Sequence, residues 1–373
     1  MKAGLKITSD ISRVLPSKAF VEGATISLDV PRDSVFKHIL LTMKGSVVTT
    51  FASGTPVAKD VSTLGALVNS IDIVENGSFT IKSVTPWFLH QQQLIATNDF
   101  GVRRSSAGAS ASDYPTVDAK FTFGSTTNIT SVRETVLISF ENVLAGKGRM
   151  DTLWDTRGLS SAELRINCNT FSNILGFGNT APVVYSSNLL SFQFETIETQ
   201  GVPTNVYFAA YKQTVKSVDF SAQTTDFLVD VNRGNYLQGL MFQANDGASG
   251  TTTTATGKVL SNELVTDLKL IINGVQHIQS TTFQGLQDKN RSRYGLNAPY
   301  VSNKSLYDGI AYMDLLTPAQ GEKLGALNTA QNVQAPLVDQ VQLAVSTSAS
   351  ATYTSTASLK IMTNEIVKRQ SQS

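Results

Sequence analysis

Charge is scarce in this chain. Lys, Arg, Asp and Glu make up 16% of its 373 residues, against roughly a quarter in average soluble proteins. Thr, Ser, Asn and Gln carry the surface instead, which suits neutral packing against copies of itself better than electrostatic capture of a polyanion. The charges that are present nearly cancel: 30 basic side chains face 29 acidic ones, for a formal net charge of +1. With a pI near 7.7, the chain lacks the basic stripe and the pI above about 9 that mark a nucleic-acid-binding domain. No specific nucleic-acid partner is therefore expected.

Cysteine is nearly missing. The single residue, Cys168, excludes an internal disulfide, so no disulfide framework supports the fold. The first residues, Met1–Lys18, lack the apolar run of a signal peptide, and no stretch of about 18 apolar residues offers a membrane-spanning helix. Synthesis and folding in a cytoplasm are expected. Histidine is almost as rare: His38, His90 and His277 are the only three. None has a Cys or a second His at metal-ligand spacing, so zinc is not expected.

Signatures of catalysis are also lacking. There is no Gly-x-Ser-x-Gly elbow. Gly176-Phe177-Gly178-Asn179 lacks the rest of a dinucleotide fingerprint, and Gly146-Lys147-Gly148-Arg149 lacks the Walker pattern. Both read as loops. Cys168, beside Leu164–Asn167, reads as a small buried hydrophobe rather than a nucleophile. Asp151, Asp155 and Glu163 are carboxylates that could bind calcium between subunits, but their spacing matches no EF-hand loop. Asn76, Asn128 and Asn303 open glycosylation triplets that mean nothing without secretion. Trp87 and Trp154 read as packing anchors, with use at an interface as the sharper alternative. No catalytic, cofactor-binding or metal-ligating residue is assigned, no cofactor is expected, and the chain is not expected to be an enzyme.

Two apolar classes remain, strands and a few helices. Short runs rich in Val, Ile, Phe, Thr and Tyr recur between turn residues: Ala24–Val30, Ile39–Thr50, Leu67–Val74, Phe79–Val84, Ala119–Phe123, Val136–Asn142, Leu164–Asn167 and Leu189–Thr199. In the last of these Leu190, Phe192, Phe194 and Ile197 mark a buried face, with one slip of register. Many short strands with turn signals indicate an all-β sandwich or barrel. Helices are expected over Pro86–Ile95, where Pro suits the first turn, over Phe283–Tyr294, and as a short turn at Ser161–Leu164. Ser346–Ser358 reads equally as a loop or an edge strand.

The most informative feature is an internal repeat. Asp29-Val30-Pro31-Arg32 matches Asp230-Val231-Asn232-Arg233, and each is followed by an apolar strand, Val35–Met43 or Tyr236–Phe242. A Gly/Ser/Thr loop follows each. Then come Leu67–Gly77 and Leu264–Gly274, both ending in Asn-Gly, the pair suited to a type I′ hairpin turn. Ile81 matches Ile278, Ser83 matches Ser280, and a helical segment closes each series. Further on, Ala119–Phe123 or Val136–Asn142 is the candidate partner of Ile310–Leu315, and Leu189–Thr199 that of Ala357–Val367. The first half is expected to span residues 1–215 and the second 216–373, since Gln200–Asn205 breaks the last strand of the first half.

Two copies of a roughly eight-stranded antiparallel unit, each with a helix after an Asn-Gly hairpin, resemble the double jelly-roll major capsid proteins of tailless icosahedral phages with an internal membrane (tectiviruses, corticoviruses, autolykiviruses) and of adenovirus. The carrying residues are Asp29–Arg32 with Asp230–Arg233, and Asn76-Gly77 with Asn273-Gly274. The resemblance implies two tandem eight-stranded antiparallel jelly-rolls and a virion location. It implies a homotrimer of pseudo-hexameric outline, and a trimer–trimer lattice that meets vertex (penton) and minor capsid proteins. It further implies outer loops, with Val143–Ala162 and Thr317–Ala335 as candidates. The termini would lie near lipid, where Lys2, Lys6, Lys368 and Arg369 would meet headgroups. The competing readings are a viral spike or a carbohydrate- or receptor-binding β-protein, which needs an aromatic, carboxylate-lined groove, and a jelly-roll enzyme. Three scattered histidines argue against a cupin.

Overall fold

A computed structural model of the chain describes residues 9–51, 63–97, 103–106, 127–142, 152–174, 183–186, 190–247, 260–295, 300–301, 304–305, 309–315, 327–329, 340–351, 353 and 357–368. These fall into two compact units. One holds the described residues up to 212 together with Val367 and Lys368, and the other those from 213 to 366.

The first unit contains β1 (Ser9–Ala19), β2 (Thr25–Asp29), β3 (Val35–Phe51), α1 (Thr63–Leu67), β4 (Val68–Glu75), β5 (Phe79–Val84), α2 (Pro86–Thr97), β6 (Arg103–Ser106), β7 (Thr127–Ser139), β8 (Trp154–Asp155), β9 (Ala162–Cys168), β10 (Val183–Ser186) and β11 (Ser191–Gln200). Its main strands form two antiparallel sheets, ordered β1-β11-β3-β7 and β2-β9-β4-β5, while β6 adds to β7 and the short β8 and β10 pair with β3. The second unit contains most of β12 (Ala210–Phe220), then β13 (Phe227–Asp230), β14 (Tyr236–Asn245), β15 (Val265–Ile272), β16 (Val275–Thr281), α3 (Phe283–Tyr294), β17 (Tyr300–Val301), β18 (Lys304–Ser305), β19 (Ile310–Asp314), β20 (Leu327–Asn328), β21 (Val341–Thr347) and β22 (Ala357–Val367). Its sheets are ordered β12-β22-β14-β19 and β13-β21-β15-β16.

When the eight main strands of each unit are counted in chain order, both units read 1-8-3-6 in one sheet and 2-7-4-5 in the other. That interleaving is the jelly-roll, two Greek keys wound together. The cores follow from period-2 patterning. In β9, Ala162, Leu164, Ile166 and Cys168 are buried while Glu163, Arg165 and Asn167 are only partly covered. Ile71, Ile73, Ile39, Leu41, Val136, Ile138, Phe192 and Phe194 complete the interior of the first unit. In the second, Leu240, Phe242, Leu268, Leu270, Leu343, Val345, Leu359 and Ile361 form one cluster.

The repeat in sequence is a repeat in space. The Val30 N–H donates to Ala162 O at 2.8 Å and the Val231 N–H to Val341 O at 2.9 Å, so each Asp-Val segment extends its strand against the seventh strand of its unit. Asn76 and Gly77 have φ of 51° and 75°, and Asn273 and Gly274 have φ of 48° and 76°, the two positive values a type I′ turn requires. Helices α2 and α3 each follow a capping threonine: the Phe88 N–H donates to Thr85 Oγ1 at 3.3 Å and the Gly285 N–H to Thr282 Oγ1 at 3.0 Å, an N-cap in each unit. The later strands also correspond: β7 and β19 are sixth in their units, β11 and β22 eighth.

Helix α3 also protects a sheet edge. The Gln287 amide donates to Ile310 O at 2.9 Å. The Asn290 amide donates to Tyr312 O, and the Tyr312 N–H donates to Asn290 Oδ1, both at 2.8 Å. Two helix side chains thus occupy backbone groups that β19 would otherwise present to another strand.

Three expectations need correction. Ser161–Leu164 is not helical: from Ala162 onward it is β9, paired with β2 on one side and β4 on the other, because alternate apolar residues suit a sheet and not a helical face. In β11 the residue buried after Phe194 is Thr196, followed by Glu198 and Thr199, whereas Ile197 is partly exposed. The slip falls between Ile197 and Glu198. There the Arg13 guanidinium stands 3.1 Å from Glu198 and the Ser34 hydroxyl donates to it at 2.6 Å, so a charged residue takes the inward place. Within Val143–Ala162, residues 143–151 lie outside the described ones and Thr152–Thr156 are packed down, since β8 pairs with β3 and apolar Leu153 and Trp154 are buried, while Gly158 and Ser160 are exposed. Of Thr317–Ala335 only 327–329 are described, and Ala119–Phe123 lies outside the described residues.

Candidate functional site

The search for chemistry starts from the rare residues. His90, on α2, is buried, and its Nε2 lies 2.8 Å from Glu134 Oε1 on β7. Glu134 Oε2 accepts the Leu64 N–H at 2.8 Å. One buried carboxylate therefore ties α1 and α2 to β7. His38, on β3, has Nδ1 3.1 Å from Ser139 Oγ and Nε2 3.2 Å from Glu141 Oε2. His277 lies on β16. Among the described residues no group of three or more His, Cys, Asp and Glu could hold a metal ion.

Cys168 is buried at the end of β9, and burial pushes its thiol up to about 11. At that value it is almost wholly protonated near neutrality and makes a poor nucleophile. Lys82, on β5, is fully buried. It donates to Tyr211 O at 3.3 Å and lies 4.5 Å from the centre of the Tyr211 ring and 5.6 Å from that of Phe140. Burial pushes its ammonium well below the usual lysine range. Sequence reading missed this residue. Its signal was a lysine set between the apolar residues Ile81 and Val84 of a short strand.

Both tryptophans are packing anchors. Trp154 sits between Phe36 and Phe140, with ring centroids 5.5 and 4.8 Å away, and its indole N–H donates to buried Glu75 at 2.6 Å. Trp87 packs edge-on to Phe88. Of the carboxylates considered for calcium, Asp155 takes both Nε and Nη2 of Arg157 at 2.9 Å, and Glu163 accepts from Arg165 Nε at 2.7 Å. Asp151 lies outside the described residues, as do Gly146–Arg149, Gly176–Asn179 and Asn303.

The Arg157 guanidinium also donates to Val202 O at 2.8 Å. Val202 and Phe208 pack on Val35 and Leu153 in a small satellite core, so the segment after β11 is held down on the first unit. Beside it runs an open groove of about 480 Å³, lined by Glu75, Phe79, Asp155, Tyr207 and Lys368 among others. Tyr207 and Phe79 are both exposed there.

One polar network has a pH consequence. Lys37 stands 2.8 Å from Asp10 and 3.6 Å from Glu141, joining the start of β1 to β3 and to the end of β7. The Lys37 hydrogen bond is the main cause that holds the Asp10 carboxyl below its ordinary value. Burial pushes Glu141 up, but the hydrogen bond from His38 and the charges of His38 and Lys37 outweigh it, and the net direction is down. A carboxyl whose pKa is lowered by folding stabilises the fold above its unfolded value and loses that contribution as pH falls through its folded one. Lys37→Met is therefore expected to lower the thermal midpoint at neutral pH. The gap to wild type should begin to close as pH falls below about 4, the ordinary carboxylate range, and close fully only below the lowered folded values. Thermal melts of both proteins across that range check it, and a gap that persists or widens in acid would contradict the assignment.

No family model matches the chain, and no curated protein sequence matches it. Solved structures do. The major capsid protein of STIV, the Sulfolobus turreted icosahedral virus, matches with a TM-score of 0.61 at 14% identity, over 96% of this chain and 97% of that one. That likeness extends over both units. The chain folds as a double jelly-roll. The major capsid protein P2 of bacteriophage PM2 shares this double jelly-roll with a TM-score of 0.54 at 10% identity, over 97% of this chain and 99% of that one. The Faustovirus major capsid protein does so with a TM-score of 0.56 at 9% identity, over 98% and 91%. At such identities the double jelly-roll is what is shared.

Proposed function

We propose that this chain is a major capsid protein, a structural subunit with no catalytic role, that trimerises and tiles an icosahedral virion shell. The observation that supports it most is the same eight-strand order twice in one chain, together with full-length likeness to three viral coat proteins. The reading places the first jelly-roll up to about residue 215 and the second after it, so that three chains bring six similar blocks to one pseudo-hexameric tile. Covalent linkage of two blocks reduces the entropy lost when six are arranged. The sparse, balanced charge suits close approach of like copies. The trimer interface would be large and apolar at its centre, above about 2,000 Å² as in obligate assemblies. Contacts between trimers would be smaller and more polar.

In this reading the protein is made in the host cytoplasm and ends in the virion. There it meets vertex and minor capsid proteins and, through its termini, an internal membrane. A receptor- or saccharide-binding protein is the second reading, favoured by the groove with exposed Phe79 and Tyr207. Against it, the Asp155 carboxylate in that groove is already taken by Arg157. Light scattering on the purified protein separates the two. The capsid reading expects three times the chain mass of 40.1 kDa, stable on dilution. A monomer that gains thermal stability with a simple glycan would favour the second.

A further inference from the structure

The two hairpin turns that mark the repeat carry a chemistry that the proposed shell role does not use. An Asn followed by Gly is a potential self-modifying pair. The glycine backbone nitrogen attacks the asparagine Cγ, a five-membered succinimide closes, and ammonia leaves. Water then opens the ring to aspartate or isoaspartate. Glycine has no side chain to shield its nitrogen, and Asn76, Gly77, Asn273 and Gly274 are all exposed, so water has access. What a fold can control is whether the carboxamide is free to swing back onto the next nitrogen.

The structure holds the two carboxamides unequally. Asn76 Oδ1 accepts from both the backbone N–H and the hydroxyl of Ser160, at 2.8 and 2.9 Å, and the Asn76 N–H donates to Ser161 O at 2.9 Å. The Ser160 segment is itself held, because the Arg32 guanidinium donates to Ser160 O and to Leu159 O. Asn273 Oδ1 accepts from the Gln340 N–H at 3.0 Å, and the Asn273 N–H donates to Gln340 O at 3.0 Å. Gln340 offers no hydroxyl, so among the described residues Asn273 Oδ1 has one donor where Asn76 Oδ1 has two. We propose that Asn273-Gly274 is a site of spontaneous deamidation in the folded protein, and that Ser160 shields Asn76-Gly77 from the same reaction.

The products differ in consequence. Aspartate keeps an oxygen to accept the Gln340 N–H. Isoaspartate adds a methylene to the main chain of a two-residue turn and cannot keep the hairpin geometry, so it would loosen the β15–β16 turn.

The test incubates the folded protein in mildly alkaline buffer and follows both sites by peptide mass spectrometry, with an isoaspartate assay. Each rate is divided by the rate of the same site in fully denatured protein, which removes intrinsic sequence effects. The folded-to-denatured ratio at Asn273 should exceed that at Asn76 by roughly fivefold, the factor one net hydrogen bond supplies. Ser160→Ala, which keeps the backbone donor and removes the hydroxyl, should raise the Asn76 ratio toward that of Asn273 and leave Asn273 unchanged. Equal ratios, a faster Asn76, no conversion at either turn, or no response to Ser160→Ala would each overturn the proposal. None of these outcomes depends on whether the protein forms shells.

Discussion

Gly239→Ala should lose about 3 kcal/mol or more of folding stability, at the upper end of what overpacking costs. A Cβ at this position would run into Tyr312 Oη and lie 2.6 Å from Tyr312 Cζ and 2.7 Å from the backbone oxygen of Met313. Tyr312 cannot withdraw easily. It is buried, and Asn290 holds its backbone through both N–H and C=O. Gly239 sits where the pairing of β14 with β22 slips register, opposite Asn364, so β14 is locked from the other side as well. A single methyl would thus wedge the third and sixth strands of the second jelly-roll apart. Urea titration followed by tryptophan-independent far-ultraviolet dichroism measures the loss. A midpoint equal to wild type would show that the sheet yields there and that the close approach is not needed.

Trp154→Ala should cost about 4 kcal/mol, within the range for removing a large buried aromatic. The indole fills the space between Phe36 and Phe140 and supplies a donor to buried Glu75. Trp154→Phe separates the two contributions. It keeps most of the ring and removes the donor, so its cost should fall to about 1–3 kcal/mol, the range for losing a hydrogen-bond partner of a buried polar group. If the alanine variant lost no more than the phenylalanine one, the packing role assigned to Trp154 would be wrong. The result also bears on the segment 152–161, which sequence reading placed in an outward loop. Anchoring by Trp154 and by β8 on β3 is the physical reason that its first residues, 152–156, are packed down.

How much of this could be read in advance depends on the kind of signal. Asn76-Gly77 and Asn273-Gly274 were legible because a type I′ turn needs positive φ at both central residues and few residue pairs supply it. The helices α2 and α3 were legible from Pro86 at a first turn and from their matched place after each hairpin. The strands β1 and β12 were missed. β1 reads Ser-Asp-Ile-Ser-Arg-Val-Leu-Pro-Ser-Lys-Ala, an edge strand with little to bury. Its Pro16 is tolerated because pairing with β11 breaks between Leu15 and Lys18. Glu198 was missed as an interior residue because its burial depends on Arg13 and Ser34, distant in sequence. The same holds for Glu134, which meets His90 and Leu64 only in the fold. Local pattern reveals turns and apolar strands; paired charges inside a core depend on long-range contacts that no window of sequence contains.

Electron-microscope images of the purified protein test the shell assignment most directly. Class averages should show three chains around a three-fold axis with a six-lobed, near-hexagonal outline, one lobe for each block of eight strands. Single, unassociated particles at every concentration, or rings whose lobe number is not twice the chain number, would contradict it.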